Sequence, residues 1–192
     1  MGDARAFDDI FIALGGNMPS EVGTPAETLR AALDALEGAG VGVKAISRLY
    51  ATPCFPAGAG PDYVNAAARL SSDLEAGALL ALLHDIEGRF GRARGRRWGQ
   101  RTLDLDLIAH GAQVLPDRAT YDAWRALPLE TQMERAPEQL ILPHPRLHER
   151  AFVLEPLAEV APRWRHPVLG QTVPEMLAAL APESVAGVRA LP

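Results

Sequence analysis

The sequence predicts an α+β domain: a ferredoxin-like β-α-β-β-α-β antiparallel sheet with helices packed on one face, the candidate active site on the other, and a C-terminal helical extension. Three observations lead there. Short apolar or alternating segments at 10–14, 41–52, 63–70 and 103–108 read as strands. Apolar residues at helical spacing mark two helices between them, Leu29, Ala32, Leu33 and Leu36 in one and Leu79, Leu80, Leu83, Ile86 and Phe90 in the other. The order strand, helix, strand, strand, helix, strand is that of the split β-α-β unit.

A chain of 192 residues is long enough for one domain with a real core, so 1–192 is read as a single domain. Its net charge of −5 argues against a general nucleic-acid or membrane binder. Lys44 is the only lysine, which makes arginine the default cation, and Cys54 is the only cysteine, which excludes an internal disulfide framework and a cysteine-rich zinc site. The apolar run at 11–14 is too short for a signal peptide, and its leader holds Asp3, Asp8 and Asp9. A reducing, cytoplasmic setting and a monomer are expected.

In chain order, residues 1–9 read as a loose leader. The first strand ends at Gly15-Gly16-Asn17, where a tight turn or the close approach of a ligand is possible. Thr24-Pro25-Ala26-Glu27 reads as a capping box with proline at the first helical position, and Gly38 and Gly40 stop the helix. The extended stretch 41–52 breaks at a proline- and glycine-rich loop over 53–61. The next strand puts Tyr63 and Asn65 on one face and Val64 and Ala66 on the other; the second helix covers about 74–90. Beyond Gly111, residues 115–139 form an inserted connection, polar, broken by Pro116, Pro128 and Pro137, and holding a short helix around 121–126. A proline-stiffened segment at 141–146 leads to helices at 149–160 and 173–180.

The chemistry concentrates where a basic, glycine-broken loop from Arg92 runs into the last strand. There Leu103, Leu105 and Leu107 fall on one face and Asp104 and Asp106 on the other. Same-face neighbours on a strand sit roughly 6.5–7 Å apart, so the two carboxylates can share hard divalent cations. Acid to hold Mg²⁺ beside base to hold phosphate suits phosphoryl chemistry on a nucleotide. Plain alternation of an exposed strand is the simpler explanation, but Asp is disfavoured in strands, and Trp98 and the neighbouring arginines shift the weight toward function. No Walker A sequence is present, so side chains must bind the phosphates.

Four motifs, Ala13-Leu-Gly-Gly-Asn17, Thr52-Pro53 with Pro61-Asp-Tyr-Val-Asn65, Arg97-Trp-Gly-Gln-Arg-Thr-Leu-Asp-Leu-Asp106 and Leu142-Pro-His-Pro-Arg-Leu-His-Glu-Arg-Ala-Phe152, resemble in sequence and order the signatures of the 6-hydroxymethyl-7,8-dihydropterin pyrophosphokinases of folate biosynthesis. The resemblance implies pyrophosphoryl transfer from ATP to the pterin's hydroxymethyl group, with release of AMP. It implies that Asp104 and Asp106 bind two Mg²⁺ ions, and that Arg92 and Arg94 act catalytically from a loop able to close over ATP. It assigns Asn65 to the pterin edge, Tyr63 and Phe152 to the two faces of the ring, and Thr52, Pro53, Cys54 and Phe55 to the same pocket. ATP falls to Glu87, Arg94, Trp98, Arg101, Leu107, His144 and Arg150. The connection between Gly111 and Leu142 is longer than the family's usual one; it is either a tolerated surface insertion or a segment that shields the nucleotide or binds a partner. Two other readings stay open: an RNA-binding module, disfavoured by the acid pair and the negative charge, and a catalytically silent nucleotide-binding scaffold.

Overall fold

The computed structural model describes residues 7–54, 60–91, 101–128, 131 and 135–192. Strand β1 (Phe7–Gly16) is followed by α1 (Pro25–Gly38), β2 (Gly42–Ile46), β3 (Tyr50–Thr52), β4 (Tyr63–Ser72), α2 (Ala76–Arg89) and β5 (Asp104–His110). All strand pairs are antiparallel, in the order β5-β1-β4-β3, with β2 also beside β4. The capping box forms as predicted: the Thr24 hydroxyl accepts from the Glu27 amide at 3.3 Å and the Glu27 carboxylate accepts from the Thr24 amide at 2.7 Å.

Alternation along the strands divides the core into two layers. Ile12 and Leu14 of β1 pack with Leu29 and Leu36 of α1 and Leu79 and Leu83 of α2. On the opposite face, Phe11 and Ala67 pack against α4 (Ala151–Val160) and α5 (Val173–Ala178) through Leu154, Leu157 and Met176. The second face is therefore not wholly open, as the strand order alone suggested. The C-terminal helices cover its middle, because Phe11 and Ala109 also need burial, and leave free the end at Gly15, Asn65 and Asp104. A β-bulge at Ile108 contributes. Phe11 faces Ala109 and Ile12 faces Leu107, so Ile108 is the extra residue, and both Ile108 and Ala109 join the second layer.

Other boundaries shift for local reasons. The leader is shorter than expected: β1 begins at Phe7, which pairs with Ser72, and the Gly111 amide donates to the Asp9 carbonyl at 2.8 Å. The extended stretch 41–52 splits at Ser47, whose amide donates to the Ala67 carbonyl and whose hydroxyl accepts from the Ala67 amide, both at 2.9 Å. The helix expected over 149–160 begins at Ala151, just after a 3₁₀ turn (Leu147–Glu149). A short helix α6 (Pro182–Ala186) and a strand β6 (Arg189–Ala190) that extends the sheet beside β3 are unforeseen, since two residues carry no period.

The inserted connection is anchored. Leu115 and Leu142 exchange backbone hydrogen bonds at 2.9 and 3.2 Å, closing its neck. Its helix α3 (Arg118–Arg125) is capped by Asp117, which accepts from the Thr120 amide at 2.9 Å. Tyr121 is fully buried, with its hydroxyl 3.0 Å from His166 Nε2. Trp164 donates from its indole to the Gly111 carbonyl at 3.2 Å and meets Phe11 edge-on at 5.6 Å between ring centroids. Among the described residues, no helix is long and apolar enough to cross a membrane.

Candidate active site

The uncovered end of the sheet carries one row of residues across three strands: Asp104 of β5 lies opposite Gly15 of β1, and Gly15 lies opposite Asn65 of β4. Asp106 sits in the next same-face row, opposite Ala13, which faces Ala67. With strands about 4.8 Å apart, the carboxylate position and the amide position are separated by about 10 Å. Nothing stands between them, because Gly15 has no side chain; a Cβ there would come within 3.0 Å of Asn65 Oδ1. Asn65 is buried and donates from Nδ2 to the Thr52 hydroxyl at 2.7 Å, which fixes its amide plane. Tyr63 is half-buried; burial raises its phenol above the usual range while the nearby Arg101 guanidinium pulls the other way. Pro53 is exposed and Cys54 half-buried at the same strand end.

The glycine turn departs from expectation in an instructive way. The close approach is made by the protein's own backbone: a Cβ on Gly16 would sit 2.5 Å from the Thr102 carbonyl oxygen. Asn17, given no polar role from the sequence, is almost fully buried and joins two loops. Its side-chain oxygen accepts from the Arg101 amide at 2.9 Å, its Nδ2 donates to the Pro61 carbonyl at 3.2 Å, and its own amide donates to the Arg101 carbonyl at 2.9 Å.

The Arg101 guanidinium, expected on the nucleotide, is ion-paired with Asp104 through Nη1 and Oδ2. Glu87 also departs from expectation. It is 2 % exposed, and its Oε1 accepts from the Leu105 amide at 2.7 Å. β5 is the edge strand on that side, so the carboxyl group satisfies an outward N–H that would otherwise lack a strand partner. Glu87 thus holds the residue lying between the two aspartates, beside a separate cavity at Asp106.

That cavity, of about 400 Å³, is lined by Asp106, His144, Arg146 and Arg150 together with Leu107, whose side chain otherwise belongs to the core. The His144 amide donates to the Ile108 carbonyl on the edge of β5 at 2.8 Å, and its Nδ1 accepts from the Arg146 amide at 3.2 Å. Burial, then the charges of Arg150 and Arg146, push its pKa down to about 3. The ring is therefore neutral near pH 7, with its proton on Nε2. Arg146 was missed by sequence reading. Its guanidinium donates to Glu149 at 2.6 Å through Nη2, while Nε and Nη1 are buried with no hydrogen-bond partner. The only signal was its place in the Pro-His-Pro-Arg motif. Burial lowers the pKa of Arg150, opposed by the charge of Asp106, and its guanidinium lies 5.8 Å from the ring centre of Phe152. Phe152 is 40 % exposed, so it is a surface ring and not core packing. Phe55, Arg92, Arg94 and Trp98 lie outside the described residues.

Among the described residues, no group of three or more acidic, histidine or cysteine side chains could hold a metal ion. Asp104 and Asp106, which share one face of β5, are a pair of carboxylates rather than a full protein shell. That fits Mg²⁺, which commonly takes one or two carboxylates and completes its shell with water and substrate phosphates.

Residues 11–162 match the family model for 7,8-dihydro-6-hydroxymethylpterin-pyrophosphokinase, HPPK. The chain belongs to the HPPK family. Among curated HPPK relatives, the 2-amino-4-hydroxy-6-hydroxymethyldihydropteridine pyrophosphokinase of Pseudomonas aeruginosa is 40% identical over 172 residues, covering 88% of this chain and 90% of that protein. The protein of the same name from Methylorubrum extorquens is 36% identical over 177 residues, covering 91% and 95%. Among solved structures, wild-type HPPK-DHPS of Plasmodium falciparum superposes with a TM-score of 0.60 at 13% identity, covering 88% of this chain and 44% of that one. The chain thus spans less than half of that solved protein, and the likeness concerns the fold. The HPPK match takes in both aspartates, Asn65, His144, Arg150 and the inserted connection, but stops before Trp164, His166 and β6.

Proposed function

We propose that this chain catalyses Mg²⁺-dependent transfer of the pyrophosphoryl group of ATP to the hydroxymethyl oxygen of 6-hydroxymethyl-7,8-dihydropterin, giving AMP and the pterin diphosphate in folate biosynthesis. The observation that carries this is the row Asp104, Gly15 and Asn65 across three strands. It sets a hydrogen-bonding amide and a carboxylate about 10 Å apart on one open floor, beside a cavity lined with arginines.

In this reading Asn65, held by Thr52, meets the pterin edge, with Tyr63 and Phe152 against the ring faces and Thr52, Pro53, Cys54 and Phe55 closing the pocket. The pterin's hydroxyl gives up its proton to solvent as its oxygen bonds to the β-phosphorus, the bond from that phosphorus to the α–β bridging oxygen breaks, and AMP leaves with the bridging oxygen. Asp104 and Asp106 would hold two Mg²⁺ ions, which when bound supply charge neutralisation on the phosphates and lower the pKa of the hydroxyl. His144 donates from Nε2, and Arg146 and Arg150 offer guanidinium N–H groups to phosphate oxygens. Arg92, Arg94 and Trp98 belong to the ATP side, as the resemblance implies. All of these residues come from one chain, in keeping with action as a monomer.

Purified protein with ATP, Mg²⁺ and the reduced pterin should release AMP only when the pterin is present. ADP as product, or AMP release independent of pterin, would overturn the proposal. Asp104→Ala and Asp106→Ala should each lose at least about 10²–10³-fold in kcat while remaining folded by circular dichroism. An RNA-binding sheet is a poorer fit, since α4 and α5 occupy the middle of the face on which bases would stack.

A further inference from the structure

The inserted connection does more than decorate the fold. The cavity that reaches Asp106, His144, Arg146 and Arg150 is closed on another side by Trp124 of α3 and by Arg135. A second hollow, of about 420 Å³, continues past Trp124 along Arg135, Glu138 and Gln139, so the indole forms a wall common to both. Trp124 is half-buried, while Tyr121, one turn earlier in α3, takes the fully buried position and is fixed by His166. Residues three apart lie on neighbouring parts of a helix surface, so the core contact of Tyr121 steadies the wall that Trp124 presents. At the cavity's polar side are groups suited to a polyanion; Leu80, Leu107 and Trp124 supply apolar and aromatic surface.

We propose that α3 supplies the base-binding wall of the nucleotide site, with Trp124 as the ring on which the purine of the triphosphate donor stacks and Arg135 at the rim. This rests on the pyrophosphokinase reading and adds to it a nucleotide-binding residue carried by the insertion. Stacking a base on an aromatic side chain is sequence-tolerant and substantial. Its loss should weaken nucleotide binding without touching the contacts to phosphate.

The test is calorimetric titration with Mg²⁺ and two ligands: an ATP analogue with a methylene α–β bridge, and inorganic tripolyphosphate. Trp124→Ala should weaken analogue binding roughly tenfold to a hundredfold and leave tripolyphosphate binding unchanged, and Trp124→Phe should restore most of the loss. Trp124→Gln, close in bulk but lacking a ring, should behave as Trp124→Ala and stands in for it if the smaller residue unfolds α3. Unchanged analogue affinity in the ringless variants, or equal loss of both ligands, overturns the inference. Pterin-dependent AMP release by the unaltered protein in the same preparation decides the underlying reaction separately.

Discussion

Replacing Glu87 separates two roles that the sequence could not tell apart. The resemblance places Glu87 on ATP, whereas its carboxyl group is buried and accepts from the Leu105 amide at 2.7 Å, between Asp104 and Asp106. Glu87→Ala removes the acceptor and leaves a buried N–H on an edge strand. The loss of a strong buried hydrogen bond should cost about 2–3 kcal/mol of stability. For a domain of this size that lowers Tm by roughly 5–10 °C. Slackening the edge of β5 also moves both carboxylates, and a displacement approaching 1 Å lowers turnover by up to about 10²-fold. Glu87→Gln keeps an acceptor oxygen and should recover most of the stability. The assays are thermal unfolding, steady-state kinetics and calorimetric binding of the ATP analogue. If Glu87→Ala melts at the temperature of the unaltered protein yet binds the analogue far more weakly, Glu87 contacts nucleotide and the positioning argument is wrong.

Two further outcomes follow from the geometry. Gly15→Ala places a methyl group 3.0 Å from Asn65 Oδ1 and should raise KM for the pterin about tenfold, by tilting an amide that hydrogen-bonds its substrate. KM for ATP should be unaffected, and a rise in both constants would show that the floor is shared. The buried His166 accepts at Nδ1 from the amides of Val168 and Leu169 at 3.1 and 3.2 Å, and burial pushes its pKa down to about 4. Since the unfolded chain binds the proton more tightly, this contribution is fully present above about pH 6.5 and is lost as pH falls toward 4; the span corresponds to at most about 3 kcal/mol. Urea unfolding at pH 7 and 4.5 should show the loss in the unaltered protein and a smaller one in His166→Asn.

Much of the site was legible because strands and caps write themselves locally. The alternation of Leu103, Asp104, Leu105, Asp106 and Leu107 dictates which face each side chain takes, whatever lies above it, and the Thr24 to Glu27 cap forms within four residues. Long-range partners were not legible. The links from Asn17 to Pro61 and Arg101, and the Leu105 amide held by Glu87, depend on which backbone groups meet in space. Arg146 had no role of its own in the sequence, because its place on the cavity and the burial of its Nε and Nη1 depend on packing.

The sequence by itself determined the order of elements, the face on which the aspartates stand, and a family signature dense enough to name the chemistry. Periodicity and capping are local and survive any packing. Only the tertiary structure decided that Gly15 lies between Asp104 and Asn65, that α4 and α5 cover the middle of the second face, and that the inserted helix turns back to wall the cavity. Strand register and helix docking are set by contacts between residues far apart in the chain, and burial of Phe11, Tyr121 and their neighbours selects one arrangement.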